Sequence, residues 1–195
     1  MTRVNEELLA TASAGRAEVI ASALDTGADI EVRDERGRTA LLLAAANDHV
    51  DVAELLVAQG ADPNALDDKH DTPWLVTGAT GSVAMLEALL PAKPDLTVEN
   101  RFGGVSLIPA SKRGHVKYIR RVVQTGIDVN HVNHYGWTAL LEAVVLSDGG
   151  EAHQEILRIL LAAGAERDIP DAAGLTALEH ARYKDYDAIV RILES

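Results

Sequence analysis

The chain has 195 residues, 47% apolar but only 4% aromatic, and no cysteine. Disulfides, thiolate metal sites and cysteine nucleophiles are therefore excluded, and any core must be aliphatic. A net charge of −12 with a pI near 4.9 argues against non-specific nucleic-acid binding; the sequence shows no N-terminal apolar run of signal-peptide length, and no apolar stretch of about 18 residues offers a membrane span.

The elements recur in chain order with one pattern. Residues 1–33, containing NEELLATASAGRAEVIASAL, read as a polar-faced opening unit. In 34–66, Thr39 is placed to cap a helix whose apolar positions are Leu41, Ala44 and Ala45, one face at i, i+3 and i+4. Val52, Leu55 and Leu56 repeat that spacing in a second helix, and Gly60 suits a left-handed C-terminal turn. Unit 67–99 follows with Thr72, and Trp74 takes the slot of Leu41, which predicts a core position. His70 stands at the glycine position of its turn, where histidine tolerates positive φ better than most residues.

Unit 100–132 departs most. Val105 replaces the capping threonine, Pro109 falls inside the first helix, and Gly103 and Gly104 are expected to loosen the tip. That helix should start late or be distorted. The same unit carries Lys112, Arg113, Lys117, Arg120 and Arg121 with no acid among them. Such a strip suits an anionic partner or a self-contact, or is a solvated helix face. Unit 133–170 presents His134, Tyr135 and Trp137, and Glu142 occupies the slot of Leu43. It also holds an insertion within SDGGEAH (147–153), whose Asp and glycines could fold a loop over the helix pair. Unit 171–195 ends on DYDAIVRILES, a second cap.

Two markers keep one register. Threonines stand at 39, 72, 138 and 176, with Val105 in the missing place; glycines stand at 27, 60, 126 and 164, with Lys93 in the missing place. The steps are 33, 33, 33 and 38 residues. A 33-residue period carrying RTALLLAAA, then an N-D-H turn, then ELLVAQGADPNAL resembles the ankyrin-repeat family over the whole length. The resemblance implies an all-α solenoid of about six helix-turn-helix units joined by β-hairpin-like loops, as a single array over 1–195. Each unit would expose an apolar face that only a neighbour can cover. The histidine of the family's T-P-L-H motif is absent; Leu42, Leu75, Ile108, Leu141 and Glu179 fill its slot. The segments NRFGG, HVNHYGWTALLEA and LSDGG are also similar to small free-standing bacterial ankyrin-repeat proteins.

The resemblance implies a non-catalytic scaffold that binds another protein through its concave face and hairpin tips. Units that break the internal pattern are where binding is expected: Arg101, Phe102, Lys112, Arg113, His134, Tyr135 and Trp137. The alternative is a small-molecule or anion pocket between units four and six, lined by Arg101, Pro109, Glu142 and His180. There Glu142 would pair with His180, its neighbour in register, or with Arg182. No nucleophile elbow, phosphate-binding glycine loop or metal cluster accompanies them, so no enzyme activity, cofactor or metal is expected. His49, His115 and His153 share the slot that opens the second helix and read as structural. The expected state is a cytoplasmic monomer or weak homo-oligomer that touches neither membrane nor nucleic acid.

Overall fold

A computed structural model describes residues 1–195. The chain is helical throughout, with no strand, and divides into two compact units, Met1–Arg101 and Phe102–Ser195. The first holds α1 (Arg3–Ser13), α2 (Ala17–Asp25), α3 (Ala40–Ala46), α4 (Val50–Ala58), α5 (Pro73–Thr80) and α6 (Val83–Leu89). The second holds α7 (Leu107–Lys112), α8 (Val116–Val122), α9 (Ala139–Val145), α10 (Glu151–Ala162), α11 (Ala177–Tyr183) and α12 (Asp187–Glu194).

Within each unit the helices form two layers. α1, α3 and α5 pack in sequence, as do α2 and α4 and α4 and α6, and each odd helix pairs with the even helix that follows it. The second unit repeats this with α7, α9 and α11 in one layer and α8, α10 and α12 in the other. The inner odd helices α3 and α9 are covered on nearly every side, whereas α1 and α11 at the ends keep exposed faces. In α3 every residue from Ala40 to Ala45 is buried, and the alanines let neighbours approach closely. Burying each leucine side chain there contributes about 1.5–3 kcal/mol. Trp74 is completely buried, as its slot predicts.

The threonine register is a capping register. The hydroxyls of Thr39, Thr72, Thr138 and Thr176 accept from the backbone N–H groups of Leu42, Leu75, Leu141 and Glu179 at 3.2, 3.0, 3.2 and 3.4 Å. Thr176 and Glu179 complete a capping box. Where Val105 stands no such cap exists, and α7 begins at Leu107, one residue later than α3 or α9 begins in register. Pro109 is the third residue of α7, so its missing N–H falls among donors that lack an intrahelical acceptor in any case. His70 and Lys93 adopt left-handed φ of 60° and 53°. The insertion after α9 lengthens α10 to 12 residues as well as adding a loop. Asp148 Oδ1 accepts from Gly150 N at 2.9 Å, and Tyr186 of the last pair donates its hydroxyl to Ser147 O at 2.7 Å.

Candidate functional site

Four of the loops that lead from an even helix to the next odd helix are closed by one backbone hydrogen bond: Asp34 N to Arg38 O, Asp67 N to Asp71 O, Asn133 N to Trp137 O and Asp171 N to Leu175 O, at 2.9–3.0 Å. No strand forms at these tips. The first residue of each also accepts through its side chain from two tip amides, the Asx turn that Asp and Asn make readily. For Asn133 those donors are Tyr135 N and Trp137 N, at 2.9 and 3.0 Å from Oδ1. For Asp171 they are Ala173 N and Leu175 N, at 2.9 and 3.0 Å.

The tip at residues 131–137 is joined to the segment that precedes α7. His134 N donates to Phe102 O at 2.9 Å, and His131 Nε2 lies 2.7 Å from Gly103 O. Gly103 is buried at φ +71°, and a Cβ there would meet His134 Cδ2 at 2.4 Å. The glycines were expected to loosen this tip; instead Gly103 is what lets the His134 ring close against the backbone. On this frame three rings form a ladder. Phe102 and Tyr135 are 6.2 Å apart at 31°, and Tyr135 and Trp137 are 5.6 Å apart at 33°. These are tilted contacts of the kind aromatic pairs favour. Phe102 is 42% and Tyr135 53% exposed, and Val132 beside them is 45% exposed. Trp137 sits in the slot of Arg38 and Asp71, which points away from the core and so predicts an exposed ring; it is half-buried instead, with Tyr135 against it.

Arg101 ends the first unit; burial and Asp67 push the Asp71 carboxyl above its ordinary value, and the Arg101 charge only partly opposes them. Lys112 and Arg113 are exposed at the far end of α7 from the tip. Lys112 O lies 3.1 Å from His153 Nε2, a link that ties α10 to the end of α7; His49 Nε2 makes the equivalent contact to Ser13 O at 3.1 Å in the first unit. Arg120 is engaged by Glu155 at 2.7 Å, so the basic strip is partly neutralised from α10.

The expected Glu142–His180 pair does not form. His180 Nε2 lies 2.7 Å from Asp171 Oδ2. Glu142 Oε1 accepts from Asn133 Nδ2 at 3.1 Å. Arg182 is taken by Glu194 at 2.6 Å. Each slot residue reaches nine positions back within its own unit instead of sideways to the next. Glu142 is only 6% exposed, and its Oε2 is buried with no hydrogen-bond partner. Burial pushes its carboxyl above the ordinary value of 4.5, against the pull of Lys112 and the Asn133 hydrogen bond. Asp171 moves the other way, held low by the Leu175 N–H and His180.

The opposed chemistry explains why a carboxylate fills a leucine slot. In the second unit of the sequence Asp34 has its spare oxygen satisfied by Arg38 at 2.7 Å, so Leu43 carries no polar duty. In the fifth, the Arg38 slot is Trp137. The tip residue there is Asn, whose buried amide must donate to something. Glu142 is the acceptor. Sequence reasoning missed Asn133 altogether, although Asn133 and Glu142 share the spacing of Asp171 and His180.

Two layers of short helices, threonine caps at one register and loops closed at their first residue match a known family. The ankyrin-repeat model matches residues 36–68, and a three-copy ankyrin-repeat model matches residues 74–171. The ankyrin repeat protein YahD of Escherichia coli K12 is 38% identical over 188 residues, covering 96% of this chain and 94% of that protein. The chain belongs to the ankyrin-repeat family. A solved ankyrin repeat domain from Acinetobacter baumannii AYE is 41% identical, with a TM-score of 0.93 over 96% of both chains. The ankyrin repeat protein EF0377 superposes with a TM-score of 0.94 at 35% identity, covering 100% of this chain and 99% of its own. These relatives are described as ankyrin repeat proteins, and ankyrin repeats are in general protein–protein interaction modules. No helix is long and apolar enough to cross a membrane.

Proposed function

We propose that this ankyrin-repeat chain is a non-catalytic, cytoplasmic bacterial scaffold of six units that binds another protein through the tip carrying Phe102, Tyr135 and Trp137. The helix pairs α1/α2 to α11/α12 are read as the six units, with residues 1–33 and 171–195 as caps. One observation carries the reading: three aromatic rings in mutual contact, two of them about half exposed, in a chain that is only 4% aromatic. Aromatic side chains that are rigidly held and partly solvent-facing are the residues that dominate binding energy at interfaces. Val132 and His134 flank the rings, and Lys112 and Arg113 are read as peripheral charges that influence encounter more than grip.

The test places a photo-crosslinking residue at Tyr135 and, as a control, at Lys117 in the full chain. The expected result is one discrete protein adduct from the tip position, absent from the control. Trp137→Ala should weaken that partner's binding by about 2 kcal/mol or more. It should also cost roughly 0.5–1.5 kcal/mol of stability, because the ring contact with Tyr135 is lost. A partner that binds Trp137→Ala and the parent equally would show that the tip is not the binding face.

A further inference from the structure

The aromatic tip is exposed, but what fixes its shape is buried. Asn133 is 5% exposed and uses every polar atom. Its backbone N–H closes the tip on Trp137 O, its Oδ1 gathers the amides of Tyr135 and Trp137, and its Nδ2 donates to Glu142 Oε1. Of the four residues involved, Glu142 alone lies on a helix, inside α9, whose N-terminus is fixed by the Thr138 cap. Rotation of the Asn133 amide would carry the Tyr135 and Trp137 backbone with it, and the hydrogen bond that Asn133 Nδ2 donates to Glu142 opposes that rotation. The carboxylate also decides which way round the amide sits: Nδ2 toward α9, Oδ1 toward the tip.

The last pair of helices solves the same problem with reversed polarity. Asp171 Oδ1 gathers two tip amides, and its Oδ2 meets His180 Nε2, nine residues along. In one case the tip residue donates and the helix residue accepts; in the other the tip residue accepts and the helix residue donates. We propose that Asn133 and Glu142 act as a positioning pair that sets the tip ring ladder for recognition, equivalent to and exchangeable with Asp171 and His180. The inference rests on the tip being the binding face, and it assigns that face's specificity partly to a side chain no partner can touch. Single changes break the complementarity. Asn133→Asp sets two carboxylates against one another, and Glu142→His, when its ring is protonated, sets an N–H against the N–H of the Asn133 amide. Changing both together rebuilds the Asp–His arrangement.

The experiment measures hydrogen exchange at the Tyr135 and Trp137 amides in the full chain, with no partner needed. Asn133→Asp should speed exchange at both amides by about tenfold or more, and Glu142→His should do so at a pH where the new ring is protonated. The double variant should return them to within about twofold of the parent. Glu142→Gln keeps the acceptor for Asn133 and should also preserve protection, whereas Glu142→Leu should lose it. The reciprocal double change, Asp171→Asn with His180→Glu, should keep the amides of Ala173 and Leu175 protected, and it reads the same rule at a second place. Singles without effect on the tip amides, a double variant no better than the sum of its singles, or doubles that do not fold would each overturn the proposal. A failure of the partner-binding reading would instead leave these exchange rates as stated and show only in the cross-linking.

Discussion

Replacing Glu142 with leucine restores the residue that its slot holds at Leu43, and the structure gives that change two opposed effects. The Asn133 amide loses its acceptor while buried, which costs about 1–3 kcal/mol. Removing a carboxylate with one unpartnered oxygen returns a comparable amount, but only while that carboxylate is ionised. Because burial raises the Glu142 pKa above 4.5, the folded protein binds the proton more tightly than the unfolded chain. Parent stability from this group is therefore fully present below about 4.5 and falls as pH rises through the raised folded value. Glu142→Leu lacks that fall. At pH 4 the variant should be less stable than the parent by about 1–3 kcal/mol; by pH 7 the gap should shrink to about 1 kcal/mol or less. Urea titrations of both proteins at several pH values between 4 and 7 measure this directly. A gap that stays constant across the range, or widens as pH rises, would refute the assignment of a buried, high-pKa carboxyl.

Other substitutions test separate parts of the account. Thr138→Ala should cost about 1 kcal/mol by chemical denaturation, since it removes the cap donated to by Leu141 N. Gly103→Ala should cost about 2–4 kcal/mol, because it adds a clash with the His134 ring to left-handed strain. Gly174→Ala, with φ of +82° and nothing within 4 Å, should cost only the strain, about 1–2 kcal/mol; equal losses at the two sites would remove the His134 contact from the argument. Tyr186→Phe should lower stability by about 1 kcal/mol through the lost bond to Ser147 O.

The local grammar of the fold was legible in the sequence because it is carried by short-range rules. A threonine three residues before a backbone donor caps a helix wherever it occurs, and a glycine, histidine or lysine at the end of a turn meets the same left-handed demand at Gly60, His70 and Lys93. The late start of α7 also followed from one missing hydroxyl at Val105. The site was harder to read. Glu142 was visibly out of place, but composition offers several partners for a carboxylate, and stacking pointed sideways to His180. Choosing Asn133 requires knowing that an Asx turn spends Oδ1 on the tip amides and leaves Nδ2 facing α9. The exposure of Trp137 was overestimated for a related reason. The slot points outward, as Arg38 does, but the neighbouring Tyr135 folds over the ring.

The claim that a buried carboxyl holds the tip is tested most directly by an NMR titration of the parent protein that follows the Glu142 side-chain carboxyl carbon and the Asn133 side-chain NH₂ resonances together. The account predicts that Glu142 titrates with a midpoint above 4.5 and that the Asn133 resonances, with the Tyr135 and Trp137 amides, move with the same midpoint. A Glu142 midpoint at the ordinary value, with the Asn133 NH₂ group unmoved across it, would contradict the account.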